Sequence, residues 1–496
     1  MTAWMSPDLA LPLLLVALPF LGGLVLAAIP SLRVAALLNI GLALVGLLLA
    51  LGLLALPQPT GGEAVWLLHL DALNLPLLLL GAFVGLTTAC FSAATVGGEG
   101  FSPRAGRAYH AAFQVFLGAN HLALLADNLG LMWVAIELAT FATVLMVALH
   151  RTPAALEAAW KFLILCGVGI ALALFGTIVL AMAALPFAGD GGMALSFSVL
   201  MRVGREADPG LLTLAFIFLL VGYGTKAGLV PLHSWLPDAH AEGPPAISAV
   251  LSGLLLNAAL HAVLRAKAVV ALNPGTLPPG ALMMAMGLAS LLLAAVSLWR
   301  RRDARRFFAW SSIEHMGIAA FAFGLGGPAA LAGVLHLLGH SLVKSAIFFG
   351  LGRATMLRGS QSLAALGGLV AAHPRLGWSL MLAMLAIAGL PPFSLFASEF
   401  LLVQQTVARL PWLALPLGIG LLVAALAMVQ VMQAIGLGPP PAAMTLRAVP
   451  SLLGPRLDAW AALVPLHLHL LLALLLGLAL PAPLLAVLLD AARIAG

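Results

Sequence analysis

The sequence predicts an all-α polytopic membrane protein, a single membrane domain of about fourteen transmembrane helices. Three observations carry that prediction. Hydrophobic residues make up 63% of the chain and charged residues only 8%, with a mean hydropathy of +1.13, whereas charged residues approach a quarter of a soluble domain. Apolar runs of spanning length, about 20 residues, recur along the chain. They are continuous, without the alternation that a membrane barrel requires. Two of the runs are interrupted by glycine and proline and each carries one ionisable residue, the pattern of discontinuous helices that line ion paths in repeat-built transporters.

In chain order the runs begin near Leu9, Ala35, Asp71, Tyr109, Leu129, Glu157, Leu211, Pro244, Gly280, Arg306, Pro328, Leu376, Trp412 and Ala461. The first three helices fall in residues 1–108, and a last helix spans 461–489. Between them the chain divides into two units of five helices, 109–271 and 280–436. Five crossings is an odd number, so the two units would be inverted repeats, with a sequence echo in Gly228-Leu229-Val230-Pro231 and Gly389-Leu390-Pro391-Pro392. The run from Leu211 is broken by Gly222, Gly224, Gly228 and Pro231 and carries Lys226; the run from Leu376 breaks at Gly389 to Pro392 and then carries Glu399. The connections 187–209 and 437–460 have too little hydrophobic mass to be domains.

The formal charge of +6 does not mark a nucleic-acid binder, because the basic residues are scattered over short loops and form no stripe. Their distribution reports topology. With the amino terminus outside, the cytoplasmic side carries Arg33, Arg104, Arg107, Arg151, Arg300, Arg301, Arg302, Arg305, Arg306, Arg353, Arg358, Arg375, Arg447 and Arg456. The outer side carries Arg202, Arg205, Arg265, Lys267, Arg409 and Arg493. Both termini are therefore expected outside. The first run has no basic residue before it and no small-residue cleavage site, and reads as a retained helix. Cys90 and Cys166 are the two cysteines, too few for an iron-sulfur cluster, and no nucleotide-binding glycine fingerprint precedes a helix. No cofactor is expected, and redox chemistry belongs to a partner.

Ionisable residues at membrane depth are the candidate functional groups. In the first half they are Glu137, Lys161 and Lys226, with Thr140 and Thr143 placed to bond or hydrate Glu137. Burial disfavours the charged form of a carboxylate or a lysine, and closeness of the two favours it. Glu137 and Lys226 are therefore read as a switchable pair, against the plainer reading of a static buried ion pair. Lys161 has Glu157 at i−4 and is equally readable as an interfacial salt bridge.

Between the halves, Asn257 and His261 lie one turn apart on one helix face. Histidine can carry a proton near neutral pH and asparagine cannot. In the second half His336, His340 and Lys344 fall at i, i+4 and i+8, a stripe that suits a water-filled proton wire, with helix–helix hydrogen bonding as the alternative. Two histidines at i and i+4 can also ligate zinc, but no carboxylate or cysteine is near them in sequence, so no metal is expected. Glu399 closes the series beside its break; His233, Asp238, His240, Glu314 with His315, and His110 with Gln114 and His121 add polar groups. Six ionisable groups at the midplane would cost roughly 15–20 kcal/mol at about 3 kcal/mol each, so pairing and water are required.

The segments ADNLGLMWVAIELAT, ALEAAWKFLI, GTKAGLVPLHSWLPDAHAEGPPAISAVLSG, SSIEHMG, HLLGHSLVKS and GLPPFSLFASEF resemble the antiporter-like membrane subunits of respiratory complex I and its relatives, most closely the hydrogenase-4 branch, from about residue 100 to 410. The resemblance implies a fourteen-helix proton-translocating subunit. It implies Glu137 and Lys226 as the first-channel pair, Lys344 or its neighbouring histidines as the relay, and Glu399 as the terminal group of the second channel. Where many relatives have a lysine this chain has Asn257, so the link between half-channels would pass through His261 or water. The long lateral helix of the largest relatives has no room before Gly496. Implied partners are other membrane subunits, a peripheral redox module and the bilayer, with protons or possibly sodium as the ion. An Mrp-type sodium/proton antiporter subunit and a membrane partner in inorganic-carbon uptake are the rival readings.

Overall fold

The computed structural model describes residues 7–56, 67–189, 192–440, 452 and 454–496. Arg447 and the Arg456 side chain, both counted above on the cytoplasmic side, lie outside what is described. The described residues form helices and no strand, with three isolated bridges at helix ends.

Helices begin where short polar residues and proline predict them to. Ser31, Ser102, Asn128, Thr152, Asp208 and Asp303 each accept a hydrogen bond from the backbone amide three residues on, which satisfies one of the orphan donors of a first turn. Three helices come first: α1 (Pro7–Ala28), α2 (Leu32–Gly52) and α3 (Leu75–Thr95). The next unit holds α4 (Pro103–Leu125), α5 (Leu129–Val147), α6 (Pro153–Ala188), the short α7 (Phe197–Val203), α8 (Pro209–Lys226) and α9 (Trp235–Glu242). α10 (Pro245–Val250) then runs through a π-helical turn, Leu251–Leu255, into α11 (Leu256–Val270).

The second half holds α12 (Pro279–Leu298), α13 (Ala304–Leu325), α14 (Pro328–Arg358), α15 (Leu369–Ala372), α16 (Pro374–Ile387), α17 (Ser394–Arg409) and α18 (Pro411–Gly436). α19 (Pro455–Leu478) and α20 (Ala482–Ala495) follow. Every predicted apolar run is helical, and eleven helices among the described residues are long and apolar enough to cross a membrane. The remaining runs correspond to α4 and α13, which carry charged first turns, and to the 14-residue α16. The last run, expected as one helix over 461–489, is two, because the chain turns extended at Ala479 and Pro481 starts a new helix.

Both expected breaks are present. α8 stops at Lys226, Gly228 takes φ +77°, and α9 restarts at Trp235; α16 stops at Ile387, Gly389 takes φ +68°, and α17 restarts at Ser394. Positive φ at these two positions favours glycine. A cis X-Pro bond follows in each, Val230-Pro231 and Pro391-Pro392. Gly222 and Gly224 are not breaks. Both lie within α8, and a Cβ on Gly222 would sit 2.5 Å from the Ala173 amide nitrogen, so this glycine lets α6 and α8 pack backbone to backbone.

The centre of the bundle is formed by α10–α11 and α14, whose spanning windows are wholly buried, while α1, α2, α6, α12, α18 and α19 form the rim. Their polar side chains therefore face protein and not lipid.

Candidate functional site: a buried polar axis

In the first half Lys226 is fully buried at the last residue of α8. Its Nζ donates to Glu137 Oε2 at 2.9 Å and to Thr140 Oγ1 at 2.7 Å. Thr140 spends its own proton on the Ile136 carbonyl, so its oxygen is free to accept from the ammonium. The two threonines were expected to serve Glu137. Thr140 instead holds the lysine, and Thr143 bonds back to Ala139 and Thr140 of its own helix. Glu137 retains 13% side-chain exposure, so the pair is open at its carboxylate end and closed at its ammonium end.

The break beyond Lys226 is braced by polar contacts that replace lost helical bonds. Trp235 Nε1 donates to the Thr225 carbonyl at 2.9 Å and stacks on Phe162 at 4.2 Å, and the Val230 amide donates to Ser290 Oγ at 3.0 Å. His233 lies within the break, with Nδ1 3.2 Å from the Pro231 carbonyl and its ring edge-on to Trp310.

The middle of the axis is built by α9, the π turn, α13 and α14. His240 Nε2 is 3.2 Å from Ser252 Oγ, which is 2.9 Å from Ser312 Oγ. The His240 ring stacks on Phe348 at 4.7 Å. Ser312 and Lys344 both donate to the Phe308 carbonyl, at 3.2 and 2.7 Å. His240 and His340 are each within electrostatic reach of Lys344. Arg305 anchors this region by donating to the carbonyls of Ala241 and Gly243 and to Ser248 Oγ, a cation placed at the C-terminal end of α9, where the helix dipole favours it.

Asn257 also reaches α14, donating to Ser341 Oγ at 2.8 Å beside His340. His261 does not join the stripe. It is buried with neither ring nitrogen hydrogen-bonded among the described residues, and the charges around it are Arg265, Asp71 and His69.

In the second half His336, His340 and Lys344 form the expected buried stripe, and His315 of α13 completes it. His315 Nδ1 is 3.0 Å from His336 Nε2, the His315 and His340 ring centres are 5.4 Å apart, and His336 Nδ1 is 2.9 Å from Ser398 Oγ of α17. Glu314 lies within electrostatic reach of Lys344 and shares with Glu399 a cavity of about 10 Å³ walled by Ala424, Ala425 and Met428. That is room for one water. Glu399 packs on the Cα of Gly389, where a Cβ would overlap its carboxylate.

Lys161 stands apart. It is half exposed, 2.6 Å from Glu157 and 3.2 Å from Asp238, which also meets Arg306; exposed pairs of this kind contribute about 0–1 kcal/mol.

A second polar cluster was not foreseen. Arg265 and Lys267, counted as loop charges, are buried. Arg265 Nη1 is 2.5 Å from Asp71 Oδ2 and its guanidinium lies over Phe197. His69 bridges Asp71 and Asp127, and Asp127 accepts from Ser196 and Ser198. In the sequence Asp71 marked only the start of an apolar run; in the structure its Oδ1 also accepts from the amides of Leu73 and Asn74 in the turn before α3. Lys267 donates to the Phe323 and Ala495 carbonyls at the C-terminal ends of α13 and α20.

Residues 126–424 match the membrane-subunit model described as NADH:quinone oxidoreductase/Mrp antiporter. The match covers more than half of the chain and contains the whole axis from Glu137 to Glu399. The chain belongs to this family. As an antiporter-like subunit of the complex I, Mrp and group 4 hydrogenase superfamily, it is 48% identical over 427 residues to a hydrogenase-4 component F homolog of Methylacidiphilum infernorum, covering 85% of this chain and 89% of that one. Two solved structures share the antiporter-like fold. A chain of an archaeal membrane-bound sulfane sulfur reductase superposes with a TM-score of 0.83 at 22% identity, covering 98% of this chain and 97% of that one. A chain of the Mrp complex from a Dietzia species gives 0.81 at 20% identity, covering 99% and 97%.

Proposed function

We propose that this antiporter-like subunit carries protons across the inner membrane of a bacterial or archaeal cell, within a redox-driven complex of the group 4 hydrogenase type. The observation that carries the reading is the Lys226 ammonium, fully buried at a helix break and held by Glu137 and Thr140. In this reading the lysine has two states, paired with Glu137 and released toward His240 and the π turn. Alternation between them changes which group holds the proton. The path continues by Ser252 and Ser312 to Lys344, then by Glu314 and its water-sized cavity, or by His340, His315 and His336, to Glu399.

The likeness to a hydrogenase-4 component F homolog supports the redox-driven assignment over the Mrp one, with other membrane subunits and a peripheral redox module as partners. The axis is rich in lysine and histidine nitrogen, which suits protons better than sodium, a hard cation that takes oxygen ligands. The end carrying Arg301, Arg305 and Arg306 is read as cytoplasmic, with both termini outside. The recurrence of positive-φ glycines at Gly228 and Gly389 supports division into five-helix units over 109–271 and 280–436.

Driving one charge against 150 mV costs about 3.5 kcal/mol, a load the redox partner supplies through the Lys226 switch. The test is proton translocation by membrane vesicles containing the whole complex with Lys226→Ala. Uptake is expected to fall to background while the complex still assembles; pumping at the normal stoichiometry would contradict the reading.

A further inference from the structure

His315, His336 and Glu399 are far apart in sequence, yet one ligand atom from each lies within 4.8 Å of the other two. Ser398 Oγ is 2.8 Å from the Leu395 carbonyl and 2.9 Å from His336 Nδ1, and His336 Nε2 is 3.0 Å from His315 Nδ1. With Ser398 accepting from Nδ1–H, His336 presents its Nε2 lone pair toward His315. With its own proton on Nε2, His315 presents its Nδ1 lone pair toward His336, and a cation between the two rings would take both.

We propose that His315 Nδ1, His336 Nε2 and a Glu399 carboxylate oxygen form a binding site for a divalent transition metal of the zinc class, with a water in the cavity next to Glu399 as fourth ligand. Two imidazoles, one carboxylate and an open position are a common zinc set. Nitrogens about 2.0–2.1 Å from a tetrahedral ion are about 3.3 Å apart, so the rings have to separate by a few tenths of an ångström and turn until both lone pairs meet the ion, while the flexible Glu399 side chain moves in. Ser398 supplies the outer hydrogen bond that orients a metal-binding histidine. His340 lies next to the site and is not a ligand.

A metal held there occupies the lone pairs through which a proton would pass, so zinc blocks transfer; that consequence rests on the proton path proposed above, and the binding does not. The experiment is cobalt(II) titration of the purified full-length chain in nanodiscs, followed by visible absorption, with zinc as competitor. One tetrahedral cobalt per chain, displaced by zinc, is expected. His336→Gln and Glu399→Gln should each weaken binding by more than about 100-fold, and Ser398→Ala by about 10–100-fold, the range for an outer-shell partner; His340→Gln should leave it unchanged.

Ser398→Ala keeps all three ligands, so it reports on the site even if a ligand variant fails to fold. Octahedral cobalt spectra in the wild type, or undiminished affinity in folded His336→Gln, would overturn the site. Zinc bound at the wild-type site without any effect on translocation by the whole complex would contradict the proton path and leave the metal site standing.

Discussion

Replacing Gly389 by alanine separates the placement of Glu399 from the stability of the fold. Gly389 has φ +68°, and an added Cβ would overlap the Glu399 carboxylate. A left-handed alanine costs roughly 1–2 kcal/mol, offset by about 0.4–1 kcal/mol because alanine restricts the unfolded chain, so the net backbone cost is about 1 kcal/mol. Gly100 supplies a matched control. Its φ is also +68°, and nothing lies within 4 Å of its would-be Cβ. The two alanine variants should lose similar stability in thermal unfolding of the purified chain.

Only Gly389→Ala has to push a carboxylate aside. The displaced group loses its place between Gly389 and the water-sized cavity shared with Glu314, and a misplacement of about 1 Å can cost on the order of 100-fold in rate. In vesicles containing the whole complex, Gly389→Ala should lose most of its proton translocation and Gly100→Ala should keep it. Equal translocation by the two variants would refute the argument that Glu399 must sit against that glycine.

Two further substitutions probe the same path. Glu399→Gln keeps size and hydrogen bonding without a titratable proton, and should abolish translocation where Glu399→Asp retains part of it; a glutamine variant that pumps normally would remove Glu399 from the path. His240→Phe keeps the stack on Phe348 and removes the titratable ring, so it should impair pumping more than His261→Phe, while Asn257→Lys should be tolerated. Paired vesicle assays decide, and intact pumping in His240→Phe alongside loss in His261→Phe would move the link back to α11.

The parts of the site that were readable in the sequence are those whose cost is local. A lysine beside a glycine–proline break is expensive wherever the chain folds, so Lys226 and Glu399 stood out, and the i, i+4, i+8 spacing placed His336, His340 and Lys344 on one face before any packing was known. Contacts between distant segments were not readable. Glu399 lies far along the chain from His315, and the expectation of no metal rested on the lack of a nearby carboxylate in sequence. Asp71 was hidden for a different reason: its Oδ1 is taken up by the Leu73 and Asn74 amides in the turn before α3, and nothing in the sequence points from there to Arg265. Gly222 misled because glycine serves both to break a helix and to let one pack closely, and only the position of α6 distinguishes the two uses. The split between α19 and α20 depends on Pro481, a single residue within an apolar run.

The placement of His261 and His240 was likewise set by packing. The spacing from Asn257 to His261 is that of one helix face, but the π turn at Leu251–Leu255 brings Ser252 to His240, while His261 lies among Arg265, Asp71 and His69. A π turn within a helix often marks a functional position. Here it contains Ser252, whose Oγ is 3.2 Å from His240 Nε2 and 2.9 Å from Ser312 Oγ.

Lys344 is the junction of the account, within electrostatic reach of His240, His340 and Glu314 and hydrogen-bonded to the Phe308 carbonyl at 2.7 Å. The most direct test of a continuous proton path is the number of protons translocated per electron pair by the whole complex carrying Lys344→Met, which keeps the length of the side chain and removes its charge. The account predicts a complex that assembles and still transfers electrons but moves fewer protons per pair than the wild type. An unchanged ratio at full electron-transfer rate would contradict it.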